Sequence, residues 1–181
     1  MHVDKEHVEE TVQAAKRGDP LALAEICEEF HPQVYRYMLR RAPAGEAEDL
    51  ASEVCLRAVR ALPRQKGFFP AWLYRIAANL LTDRHRRRAV RDEVPLEAGG
   101  LAGNDDAGFF ARGADLRIDL ERAMEGLNEE QRELIHLRFV EGYDSPEIGE
   151  ILGKSAEAVR AQQVRALRAL RARLTVRRNE R

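Results

Sequence analysis

The stretch from Pro146 to Arg173, PEIGEILGKSAEAVRAQQVRALRALRAR, restricts the fold more than any other part of the chain. It has the pattern of a short helix, a tight turn and a long arginine-rich helix. Gly149 is small enough to let two backbones approach. Gly153 suits the positive backbone angle of a turn, and Val159, six residues later, is apolar and can dock the second helix on the first. Helices crossing steeply in this way leave the second one free to enter a DNA major groove.

Net charge does not advertise such a partner, because it is only −1 over 181 residues. The charges are segregated instead. Arg84 to Arg91 holds five arginines in eight residues, and Arg160 to Arg181 holds eight against the single acid Glu180. Acid gathers at Glu46 to Glu53 and at Asp92 to Asp106. Local basic stripes are what a nucleic acid would meet. The two cysteines, Cys27 and Cys55, sit inside apolar helical patterns and form no disulfide framework. The opening MHVDKEHVEE is polar, unlike a signal peptide. No apolar run approaches the roughly 18 residues of a membrane span. These features fit a reducing cytoplasm.

Taken in order, Lys5 to Arg17 reads as a short polar helix ending at Gly18. Asp19-Pro20 starts a helix whose apolar face is Leu21, Leu23, Ala24, Ile26, Cys27 and Phe30. His31-Pro32 is expected to end it and open another, with Val34, Tyr35, Met38 and Leu39 as its stripe. A third apolar pattern runs from about Glu46 to Leu62 (Leu50, Val54, Ala58 and Leu62, widened by Val59), with carboxylates at its positive end. Pro63 stops it, and a fourth helix spans Ala71 to about Ala89. Residues 92–113 hold five glycines, a proline and five acids against one base, the composition of a flexible acidic linker. Beyond it come a helix from Ala114 to Gly126 and another capped by Asn128 with Gln131, carrying Leu134, Ile135, Leu137 and Phe139. Gly142 stops that helix, Ser145-Pro146 begins the short one, and Ser155 caps the last. No strand alternation occurs. The expected fold is all-α: two small helical domains, 20–91 and 114–175, joined by the linker, with a polar segment at 1–19 and a basic tail at 176–181.

Four of these stretches, in this order, resemble bacterial RNA polymerase sigma factors of the extracytoplasmic-function (ECF) type. EAEDLASEV from Glu46 is similar to the family's polymerase-binding helix. AWLYRIAANL from Ala71, with Asp83 and the arginine run, is similar to its promoter-melting and −10-reading helix. LNEEQREL from Leu127 resembles the opening of its second domain, and the helix-turn-helix resembles its −35 reader. The resemblance covers roughly Leu21 to Leu174 apart from the linker. It implies a dissociable promoter-specificity subunit that binds core RNA polymerase and promoter DNA, is controlled by an anti-sigma factor, and has no cofactor or catalysis of its own.

Each motif then has a chemistry. In the helix-turn-helix, Lys154, Ser155, Glu157, Arg160, Ala161 and Val164 should face the groove, where arginine pairs with guanine, glutamate accepts from cytosine and apolar groups touch thymine methyls. Arg165, Arg168 and Arg171 suit phosphates, or an ordinary helix surface. Family members place an apolar residue at Gln162 or Gln163. The glutamines either weaken docking there or mark Gln163 as a base reader. In the loop before the fourth helix, Lys66, Gly67, Phe68 and Trp72 combine aromatic stacking with positive charge, as capture of a single-stranded base requires. Trp72 and Phe69 suit the core as well. Arg75, Asn79, Asp83, Arg84 and Arg86 would meet duplex just upstream, with Asp83 alternatively orienting the arginines. Glu46, Asp49 and Glu53 face outward if Leu50 and Val54 face in. The resemblance makes their partner the coiled coil of the polymerase's largest subunit, although Ser52 and Cys55 depart from the family pattern. The linker carboxylates would imitate phosphates in the polymerase cleft, or form a passive tether. Cys27 and His31, four apart, are two ligands and make no metal site. No nucleophile-base arrangement is present. Two other classes stand beside this one: a ligand-responsive repressor with a helical sensor domain, and a helical adaptor that binds proteins but not DNA.

Overall fold

The computed structural model describes residues 5–43, 45–90, 124 and 126–178. Among them every regular element is helical, and the chain divides into two units. The expected linker, nearly all of the helix expected before Gly126, and the last residues of the tail lie outside the described residues.

The N-terminal unit contains α1 (Lys5–Lys16), α2 (Pro20–Leu39), α3 (Ala47–Ala61), a 3-10 turn (Leu62–Arg64) and α4 (Phe69–Val90). The Asp19 side chain caps α2 by accepting from the amides of Leu21 (2.9 Å) and Ala22 (3.4 Å). Unlike the expectation from His31-Pro32, α2 runs without a break through Pro32. Proline inside a helix costs about 3 kcal/mol. Phe30, Val34 and Met38 on the flanking turns are buried, and each contributes roughly 1.5–3 kcal/mol. Their packing outweighs the lost hydrogen bond.

The buried stripe of α2 is Ala22, Ile26, Phe30 and Val34, at four-residue spacing. Leu21, expected on that face, is 80% exposed, because it lies one residue and so about 100° around the helix from Ala22. On α3 the stripe of Leu50, Val54 and Ala58 is buried as expected, and Leu62 follows it. Val59 does not widen it; at 38% exposure it stands on the rim beside exposed Leu56. The expected polar helix α1 is amphipathic. It buries Val8, Thr11, Val12 and Ala15 and packs on α2. His7 and Glu25 join the two helices at 2.6 Å. Phe30 and Phe69 meet edge to face at 5.0 Å, and Tyr37 and Tyr74 do so at 5.3 Å.

The C-terminal unit contains α5 (Glu129–Phe139), α6 (Ser145–Leu152) and α7 (Ala156–Arg178). Asn128 and Gln131 form the expected reciprocal cap. A second reciprocal cap, not expected from the sequence, joins Asp144 and Glu147 at the start of α6. Leu134, Leu137, Ile148 and Val159 form the centre of this core, with Tyr143, Ala166 and Leu170 around it. Phe139, expected among them, is exposed at the end of α5. The turn between α6 and α7 is left-handed at Gly153 (φ 66°).

Candidate nucleic-acid interface

The two faces of α7 separate cleanly. Val159, Gln162, Ala166 and Leu170 are buried against α5 and α6. Glu157, Arg160, Ala161, Val164, Arg165 and Arg168 are exposed. Those six positions fall at spacings of three and four, so they share one face of the helix. Ser155 caps it, its Oγ accepting from the Ala158 amide at 3.2 Å. Arg160 donates to Glu157 at 3.0 Å within the exposed row. The structure therefore brings together the expected groove-facing residues of the helix itself.

The turn residue Lys154 differs from expectation. Its ammonium donates to Glu130 Oε2 (2.9 Å) and Gln162 Oε1 (3.2 Å), so it is engaged inside the unit rather than directed outward. Of the glutamine pair, Gln162 is the one that docks. It is only 7% exposed and occupies the docking position an apolar residue would take. Its amide is satisfied by Lys154 and by Glu130 Oε2 at 3.1 Å, which is what lets a polar group be buried there. Gln163 is half-buried. Lys154 and Gln162 together hold the Glu130 carboxyl below the usual carboxylate range. Nothing local in the sequence marks Glu130 as part of this site, because its partners lie 24 and 32 residues away.

In the N-terminal unit the loop before α4 is shaped by Gln65. That side chain is buried and donates to the Gly67 carbonyl at 2.6 Å, across a residue with φ 75°. The fold thereby presents Lys66 and Gly67 to solvent, with Phe68 half-buried. Phe69 is core, and Trp72 is half-buried with its ring 5.7 Å from that of Phe69. Arg75, Asn79 and Arg86 are exposed and Asp83 is partly so, and their spacing puts them along one side of α4. Asp83 lies 3.6 Å from Arg86, a geometry that orients the guanidinium.

Arg84 does not join that side. It turns toward the start of α3 and pairs with Glu46, so this carboxylate is not directed outward as expected. Asp49 and Glu53 are exposed one turn apart, with Glu53 also holding Arg57. Among the described residues no cluster of three or more potential metal ligands exists, and no helix is long and apolar enough to cross a membrane.

Comparison with known proteins accounts for both units. Residues 26–91 match the family model Sigma-70 region 2, and residues 123–172 match Sigma-70, region 4. These define the class as sigma factors, which direct RNA polymerase to promoters; a stand-alone repressor is not favoured. The ECF RNA polymerase sigma factor SigD of Mycobacterium tuberculosis is 35% identical over 181 residues, covering 94% of this chain and 85% of the relative. The chain belongs to the ECF RNA polymerase sigma factors. Two solved structures share the fold. CnrH, in complex with the cytosolic domain of CnrY, has a TM-score of 0.61 at 23% identity and covers 92% of this chain and 96% of its own. The sigma factor RpoE of Bartonella quintana, in complex with the anti-sigma factor NepR, has a TM-score of 0.63 at 21% identity and covers 84% and 96%.

Proposed function

We propose that the N-terminal unit, residues 20–91, seats this sigma factor on core RNA polymerase and opens the −10 element, while residues 114–175 read the −35 element. Asp49 and Glu53 on α3 meet the coiled coil of the polymerase's largest subunit; Glu46 is held by Arg84 and acts through it. Lys66, Gly67 and Phe68 take an extruded base of the non-template strand, with Trp72 as the wall behind them. Arg75, Asn79 and Arg86 contact the duplex just upstream. On α7, Arg160, Glu157, Ala161 and Val164 face base edges, and Arg165 and Arg168 face phosphates.

The observation that carries this reading is the exposed row of α7 opposite its buried row, on a chain that also exposes acids on α3 and presents Lys66 and Gly67 beside half-buried Phe68. Residues 92–113, acidic in composition, connect the two units along the sequence. The chain works in the cytoplasm, adds no chemistry of its own to the polymerase, and is held in check by an anti-sigma protein, as RpoE is bound by NepR. Run-off transcription from a library of promoter fragments tests it. Core polymerase with this chain should yield discrete transcripts that core alone does not. Transcription indistinguishable from core alone would remove the function.

A further inference from the structure

Glu130 sits in the first turn of α5, yet its carboxylate serves the turn before α7. One oxygen, Oε2, accepts from Lys154 Nζ at 2.9 Å and from Gln162 Nε2 at 3.1 Å. Lys154 Nζ donates in addition to Gln162 Oε1 at 3.2 Å. Three side chains from three places in the sequence thus close a ring of hydrogen bonds at the mouth of the helix-turn-helix. The ring is open to water on one side: the Glu130 side chain is 66% exposed and that of Lys154 is 27% exposed. Gln162, by contrast, is fixed in the core.

An oxyanion bound to a lysine beside the start of α7 has the charge and hydrogen-bonding capacity of a DNA phosphate. We propose that Glu130 is an internal stand-in for a backbone phosphate, occupying Lys154 in the free chain and yielding it when duplex DNA arrives. The inference rests on α7 being the duplex reader. Exposed ion pairs hold weakly, so a phosphate can displace the carboxylate. Displacement leaves Glu130 uncompensated beside the DNA. The counterion that Lys154 releases from the duplex is then offset by one drawn to Glu130, and the lysine adds little to affinity or to salt dependence. Glu130 thereby lowers affinity for any duplex, leaving discrimination to the base-facing row of α7. Gln162 keeps Lys154 beside the turn during the exchange, through the bond that does not involve Glu130.

The test uses the full chain in complex with core RNA polymerase. The probe is a fluorescein-labelled duplex that the wild-type complex recovers from a random library, titrated over a range of potassium chloride concentrations. Glu130→Gln should tighten binding roughly three- to tenfold at low salt and steepen the log–log salt slope by about one. Adding Lys154→Gln should abolish both gains. Unchanged or weaker binding by Glu130→Gln, or a gain that survives loss of Lys154, overturns the proposal. A lowered melting temperature together with weaker binding overturns it too, because Glu130 is then a structural clamp. If duplex binding ignores Arg160→Ala and Arg165→Ala together, α7 is not the reader and both conclusions fall. If those substitutions weaken binding while Glu130→Gln is silent, only the stand-in falls.

Discussion

At Gly149 a hydrogen stands where any other residue would carry a carbon. A Cβ there would lie 2.6 Å from the carbonyl oxygen of Lys154, which is backbone and cannot swing away. Gly149→Ala is expected to cost about 1–3 kcal/mol through this overlap. Thermal unfolding of the full chain checks it, and an unchanged melting profile would show that the turn yields freely. Gly149, Gly153 and Val159 could be read from the sequence because each answers a need within a few residues of itself. Gln162 could not, since its burial depends on Glu130, 32 residues earlier. A second residue-scale case is Cys55. Burial pushes its thiol from the ordinary 9.0 up to about 11, with Cys27 and Glu48 adding to the effect. A raised thiol value favours the neutral form in the folded chain. Its contribution to stability is complete below about pH 9 and is lost as pH climbs from there toward 11. At about pH 8, alkylation of Cys55 by iodoacetamide should be roughly a hundredfold slower in the native than in the unfolded chain. Equal rates would mean the thiol is open to solvent.

Among the elements, α2 shows where local rules give way. His31-Pro32 reads as a break, but the helix continues because Phe30 and Val34 are both drawn into the same core. That packing is tertiary and leaves no sign at the proline itself. Pro32→Ala should restore a backbone hydrogen bond and raise stability by about 1–3 kcal/mol, read by chemical denaturation. Destabilisation would show that the proline shapes a bend the core requires. α1 hides its buried face for a related reason. Its apolar positions, Val8, Val12 and Ala15, are few and small, so its pattern is polar although the face is buried. By contrast, the stripe of α3 and the cap of α5 were plain in the sequence, because spacing and capping chemistry are carried by neighbouring residues.

For the whole molecule, the separation of charge matters more than its sum. Asp49 and Glu53 present carboxylates on the unit proposed to seat on polymerase, while α4 and α7 present arginines. Asp49→Arg reverses one of the acids at an exposed position, so the fold should stand while affinity for core polymerase falls at least tenfold. Equal binding of variant and wild type in a pull-down titration would remove Asp49 from the contact. Among the described residues the order of the helices was readable apart from the expected break at Pro32, whereas ion pairs linking distant segments, such as Glu46 with Arg84, were not. The reciprocal caps at Asn128–Gln131 and Asp144–Glu147 have a consequence in time. Both close over three residues, and they begin helices joined by short turns. A unit built from such near-neighbour contacts belongs to the topologies that fold in microseconds to milliseconds. Synthesis proceeds at roughly 5–20 residues per second, so the ribosome and not the folding barrier sets when this unit matures. The N-terminal unit has its own core and is complete on the nascent chain several seconds earlier. The surface proposed to face polymerase therefore exists before the proposed −35 reader has been made.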